Sequence, residues 1–165
     1  MQEIDNIMSI LNIIYVLLID IVNSQICPNG WSGANGKCYT MTEFQAEDWG
    51  IADTDCRMLR PDAHLVSFKN EMEAKTVIEE QCAGLAANTT VFWTGLNDLD
   101  IEAKTNRSYG WSFSDGTDPT YILTIGQKWW NTGQPNNRFN SEDCVAVNNG
   151  FLDDKACTLP LQACC

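Results

Sequence analysis

The segment "GQPNNRFNSEDCVAV", Gly133 to Val147, crowds side-chain oxygens ahead of a cysteine. Gln134 and Asn136 flank Pro135, and the acids Glu142 and Asp143 run directly into Cys144. A second acid pair, Asp153 and Asp154, lies shortly before Cys157. If Cys144 and Cys157 pair, the bridge draws both acid pairs to one side of the domain. Gln134 and Asn136 then enter from the preceding loop. All six groups are hard oxygen donors. They suit Ca2+, which takes about six to eight oxygens in irregular geometry, and not zinc, which favours Cys and His. On the residues alone, four solvated acids near a turn is an equal reading.

Catalytic groups are scarce by comparison. The single histidine, His64, sits in the apolar run "AHLVSF", where a lone His reads as a hydrogen-bonded core residue. No serine or cysteine has a visible base partner. Paired carboxylates would permit glycosidase-like chemistry, but acids are common throughout this chain, so no enzyme is expected.

The elements that must hold the loop belong to an exported, bridged domain. The eight cysteines include no Cys-x-x-Cys pair, which points to a disulfide framework in an oxidising compartment. The chain has 165 residues, 44% of them hydrophobic, with six tryptophans; that is enough for one domain with a proper core. A net charge of −12 without any basic run argues against nucleic-acid partners, which need Lys and Arg on phosphates. The apolar stretch from Ile7 to Val22 is short of the ~20 residues of a membrane helix. Val22-Asn23-Ser24 ends on a small residue before Gln25, so residues 1–24 read as a signal peptide, although "MQEIDN" is acidic where such segments are usually basic. Residues 25–165 then form a secreted, extracellular domain with no membrane span after cleavage. Asn88 and Asn106 head N-glycosylation sequons.

Along that domain, "CPNGWSGANGKCYTM" reads as strand, turn and strand. A helix is expected from a Thr42 cap with Gln45 as its capping-box partner. Phe44, Trp49, Ala52, Cys56 and Leu59 form its apolar stripe, and Pro61 ends it. "AHLVSF" reads as a short buried strand. A second helix starts at Asn70 with Glu73 in the capping box, and Ala74, Val77, Ile78 and Cys82 share its inner face. "TVFWTGLND" and "YGWSFSDG" read as strands, residues 118–140 as a long loop of functional length, and "DCVAVNN" and the segment from Cys157 to Cys164 as the last strands. Helices early and strands late give an α+β class.

These motifs, in this order from Cys27 to Cys164, resemble a C-type lectin-like domain of the long form. "CPNGW" with "CY" resembles its N-terminal hairpin, "AEDWGIADTDC" its first helix, and "AHLVSF" with Glu71 its strand and second helix. "WTGLND" is similar to its Trp-Ile-Gly-Leu motif and "WSFSDGT" to its Trp-Ser-Asp-Gly motif. "WNTGQPNN", "EDCV" and "LDDKAC" resemble its calcium and sugar loop. The resemblance implies a fold of two helices with small antiparallel sheets and a long binding loop, stapled by disulfides. It pairs Cys27 with Cys38, Cys56 with Cys164 and Cys144 with Cys157. Cys82 and Cys165 then bridge each other, or one of them reaches a second chain; the adjacent Cys164 and Cys165 are able to exchange roles.

By the same resemblance, Ca2+ is held by Gln134, Asn136, Glu142, Asp153 and Asp154, with a cis bond before Pro135 aiming the flanking amides. Gln134, Asn136, Glu142 and Asp153 would also meet the sugar, whose vicinal hydroxyls complete the calcium shell. Asp98, Glu102 and Asp143 match the positions of an auxiliary calcium site, with Asn137 beside them. Phe139 could stack on the apolar face of a galactose ring or, equally, fill the base of the loop. The family's mannose-type loop reads Glu-Pro-Asn and its galactose-type loop Gln-Pro-Asp, whereas this loop reads Gln-Pro-Asn. Leu152-Asp153-Asp154 replaces the usual Trp-Asn-Asp. Gln134 removes a charge and Asp153 restores one, so the charge toward Ca2+ is kept while the hydrogen-bonding map facing the sugar changes. The resulting expectation is a calcium-dependent lectin for mannose- or galactose-type glycans, with room for an oligomer. The competing expectation is a C-type lectin-like module that binds protein or another surface without sugar.

Overall fold

The computed structural model describes residues 27–46, 48–85, 91–99 and 110–165. The apolar run at 7–22, both sequons and Glu102 lie outside them. The chain divides into two units, Met1–Cys38 and Tyr39–Cys165. Strand β1 (Ser32–Ala34) pairs with β2 (Lys37–Tyr39) in a two-stranded sheet, and Cys27 is bridged to Cys38.

Helix α1 (Trp49–Leu59) starts later than Thr42 suggests. Its N-cap is Asp48, whose carboxylate accepts the Ile51 N–H at 2.8 Å. Thr42 is spent elsewhere: its hydroxyl donates to Phe44 O and accepts from Ala163 N, both at 2.9 Å. Phe44 accordingly lies outside the helix and is exposed, and Leu59 at its end is exposed too, whereas Trp49, Ala52 and Cys56 are buried as the stripe predicts. Asn70 does cap helix α2 (Glu71–Lys75), accepting the Glu73 N–H. A π-helical stretch, Thr76–Gln81, leads into α3 (Cys82–Leu85). Ala74, Val77, Ile78 and Cys82 are fully buried.

The main sheet runs in the order β4 (Ser112–Phe113), β3 (Val91–Asn97), β5 (Cys144–Asn148), β6 (Phe151–Lys155). These pairings are antiparallel, and β7 (Gln162–Ala163) adds a short parallel pairing to β3. Buried Trp49 joins α1 to this sheet through Nε1, which donates to Thr94 O at 2.8 Å. Gly95 is required in β3: a Cβ there would come within 3.0 Å of Leu65 O. That close approach lets Val66 O accept the Gly95 N–H, while Val66 N donates to Cys164 O. "AHLVSF" therefore packs between two elements with single hydrogen bonds and forms no strand. His64 is not the expected satisfied core residue; its side chain is 33% exposed and its Nδ1 lies 3.8 Å from Asp53.

Two sequence expectations fail toward the C-terminus. Residues 118–140 are not all loop, because α4 (Thr120–Thr124) and 3-10 turns at Gly126–Trp129 and Arg138–Asn140 occupy much of the stretch. Strand β6 was hidden by its acids, since "FLDDK" lacks the apolar alternation of a strand.

The disulfides require a further correction. Cys56 pairs with Cys165 and Cys82 with Cys164, not Cys56 with Cys164 and Cys82 with Cys165. Thr40 and Cys165 exchange backbone hydrogen bonds at 3.0 and 2.8 Å, holding the terminus extended. Successive side chains of an extended chain leave on opposite faces, so each of the adjacent cysteines reaches one helix only. The register set by Thr40 turns Cys165 toward α1 and Cys164 toward α3. Cys144 and Cys157 also pair.

Candidate functional site

The Gln134–Pro135 peptide is cis, and the side chains on either side of it meet: Asn136 Nδ2 donates to Gln134 Oε1 at 2.5 Å. The segment lies against β6, anchored by Asn131 N, which donates to Leu152 O at 2.9 Å. Asp153 and Asp154 alternate along that strand and so leave it on opposite sides. The loop reaches both. Gln134 Nε2 donates to Asp153 Oδ1 at 2.7 Å. Asn136 N donates to both oxygens of Asp154, at 3.1 and 2.9 Å, and Asn137 N to Oδ2 at 2.6 Å.

Glu142 joins this cluster at one remove. Its carboxylate accepts Arg138 N at 2.9 Å, and its own N–H donates to Asn137 Oδ1 at 3.2 Å. Four of the five expected calcium ligands are thus linked directly, and the fifth is linked through Asn137. Of the auxiliary set, Asp98 and Asp143 are joined by a backbone hydrogen bond, Asp98 N to Asp143 O at 2.9 Å. Asn137 is engaged with Asp154 and Glu142.

Asp154 tests whether these residues suit a cation. Its carboxylate is fully buried and, among the described residues, accepts only neutral backbone donors. Among the described residues it has no ion-pair partner. A buried carboxylate satisfied in hydrogen bonds but not in charge leaves an electrostatic demand that a cation meets. The nearby oxygens of Gln134, Asn136 and Glu142 are hard donors, so the set fits Ca2+ by its chemistry. Among the described residues, however, no three His, Cys, Asp or Glu side chains already converge on one metal position.

Two features were missed by sequence reasoning. Lys155 lies 2.6 Å from Asp153 Oδ2, and Asn148 Nδ2 donates to the same oxygen at 3.1 Å. The charge that Asp153 restores is therefore already neutralised, which alters the expected charge balance toward Ca2+. The signal was the i, i+2 spacing of Asp153 and Lys155, legible only once 151–155 is known to be a strand. Beside the loop, a cavity of about 430 Å³ is lined by Trp111, Trp130, Gln127, Thr132, Gln134 and Pro135, among others.

Asn137, Phe139 and Asn140 all have positive φ, which Asn tolerates and Phe does not favour. Phe139 projects into solvent with 83% of its surface exposed, and the Arg138 guanidinium stands 5.0 Å from its ring centroid.

Residues 45–165 match the Lectin C-type domain family. The chain belongs to the C-type lectin family. This C-type lectin is 32% identical over 128 residues to a C-type lectin of Micrurus corallinus, covering 76% of this chain and 72% of that one. It is 30% identical over 137 residues to lectin BRA-3 of Megabalanus rosa, covering 79% and 72%. Among solved structures, its fold is similar to the C-type carbohydrate-recognition domain of cow CD23 in the presence of a GlcNAc2Man3 oligosaccharide. That match has a TM-score of 0.66 at 27% identity and covers 85% of this chain and 94% of the other. The C-type lectin fold supplies the frame described above: a few helices, antiparallel strands and four disulfides.

Proposed function

We propose that this C-type lectin is a secreted, calcium-dependent glycan-binding protein, with Gln134, Asn136, Glu142, Asp153 and Asp154 holding Ca2+. The observation that carries the reading is Asp154, a fully buried carboxylate cradled by Asn136 and Asn137 with no counter-charge among the described residues. When bound, the ion supplies a Lewis-acidic centre on which two vicinal sugar hydroxyls can sit. The chain's own part is to orient those hydroxyls. Gln134 and Asn136 each carry an amide with both donor and acceptor atoms, and Glu142 supplies an acceptor. The names of its relatives, two of them lectins, support the same reading. Export is proposed with it, on the signal-like segment 1–24 and the disulfide framework; among the described residues no helix is long and apolar enough to cross a membrane.

The experiment is retention of the refolded protein on immobilised mannose, galactose and fucose, first with Ca2+ and then with chelator. Calcium-dependent retention on at least one sugar is expected. Failure on all three, with no rise in melting temperature on adding Ca2+, overturns the reading. A second reading, a module that binds a protein surface without sugar, is favoured by Lys155, whose ammonium already neutralises Asp153. It prevails if calcium stabilises the domain and no glycan is retained.

A further inference from the structure

Asp153 and Lys155 stand two residues apart on β6, so their side chains leave the same face of the strand. The pair is shielded as well as close: the Asp153 side chain is 5% exposed and that of Lys155 24%. The two carboxylate oxygens are divided between different partners. Oδ1 accepts from Gln134, on the Gln-Pro-Asn loop, and Oδ2 from Lys155 and Asn148. Neither Asp154 nor Glu142 has an ion-pair partner among the described residues. Asp153 alone of the three carboxylates already holds a cation. The backbone of Lys155 is fixed by the sheet, since it stands opposite Cys144, which is itself bridged to Cys157.

We propose that Lys155 is a tethered counter-cation that competes with Ca2+ for Asp153 and so sets the calcium affinity of the loop. This rests on the reading of the five residues as calcium ligands. An ion arriving at Asp153 must displace the ammonium or be held close to it. In either case like charges repel at short range, where little water screens them. The loop then fills only at high calcium, in the range of about 10⁻⁴–10⁻³ M seen in extracellular calcium modules. The same lysine compensates the buried Asp153 when no metal is present, so the calcium-free domain keeps its loop against β6.

Three variants test this without any sugar. Lys155→Met removes the charge and keeps the apolar stem, Lys155→Gln keeps a hydrogen-bond donor, and Lys155→Arg keeps the charge. The readout is melting temperature across a titration from chelator to excess calcium. The Met and Gln variants are expected to melt lower than wild type in chelator and to show a larger calcium-dependent rise. Their midpoint should fall to about one tenth of the wild-type calcium concentration, or ~1.4 kcal/mol. Lys155→Arg should follow wild type. A merely structural lysine would lower the melting temperature equally with and without calcium and leave the midpoint unchanged; that result overturns the inference alone. Should Lys155→Met fail to fold, Lys155→Gln gives the same decision. Silence of the wild type and every variant overturns the calcium reading itself and the inference with it.

Discussion

Gln134 Nε2 donates to Asp153 Oδ1 at 2.7 Å, joining residues nineteen apart in sequence. The amide comes from an irregular loop and the carboxylate from a strand whose register with β5 is continuous over five residue pairs. The loop is therefore referenced to a rigid element, which a binding site requires if its donors are to converge.

Asp154→Asn should remove the calcium response. The substitution keeps the shape and one acceptor oxygen for the Asn136 and Asn137 N–H groups, and it deletes the buried charge. At calcium a hundredfold above Kd, ~2.7 kcal/mol of stabilisation is lost. Melting temperature in chelator should hold or rise, because a buried charge with no ion-pair partner among the described residues has gone, while the calcium-dependent shift disappears. A shift of wild-type size in the variant would place the calcium elsewhere.

The disulfide pairing can be settled by double substitution. Cys82→Ala with Cys164→Ala removes one bridge and leaves the other three closed, so thiol titration in denaturant should count no free thiol. Cys82→Ala with Cys165→Ala should leave Cys56 and Cys164 free to react or to rearrange. Each lost bridge should cost ~2–5 kcal/mol in denaturant unfolding.

Tyr39 should mark the alkaline limb of stability. Burial, helped by the Glu73 carboxylate, raises its phenol from 10.0 to about 12. Between those values the folded state binds the proton that the unfolded state has released. Stability from this group is therefore complete below pH 10.0 and is lost as pH rises toward about 12. Ultraviolet titration should find one tyrosine ionising late, absent from Tyr39→Phe. At neutral pH that variant should be as stable as wild type or more so, since the hydroxyl has no hydrogen-bond partner among the described residues.

Asp48→Ala should cost ~1 kcal/mol by removal of the α1 cap, whereas Gln45→Ala should be close to neutral, because no capping box forms at Thr42. Urea unfolding of the two variants separates these outcomes. Equal losses would move the start of the helix back toward Thr42.

Much of the candidate site was legible because its chemistry is local. Gln134, Asn136 and Glu142 stand within nine residues, and the acids precede cysteines whose pairing shortens the path between them. The second helix was equally readable, since an Asn cap and an apolar face at helical spacing are properties of adjacent residues. The first helix was misplaced because Thr42 and Asp48 are both good caps, and only the contact of Thr42 with Ala163 decides between them.

The composition and spacing of this chain were sufficient to specify an α+β, disulfide-stapled domain with oxygen donors gathered around Pro135 and the acids before Cys144 and Cys157. Three things needed the tertiary structure. Which of Cys164 and Cys165 meets Cys56 depends on the register with Thr40, since neighbouring residues of an extended chain face opposite ways. That Asp154 is buried without a counter-charge among the described residues depends on how the loop folds over β6. Lys155 neutralises Asp153 because β6 is a strand, and its pleat brings every second side chain to one face; in a linear reading the same lysine is a surface charge beside two acids.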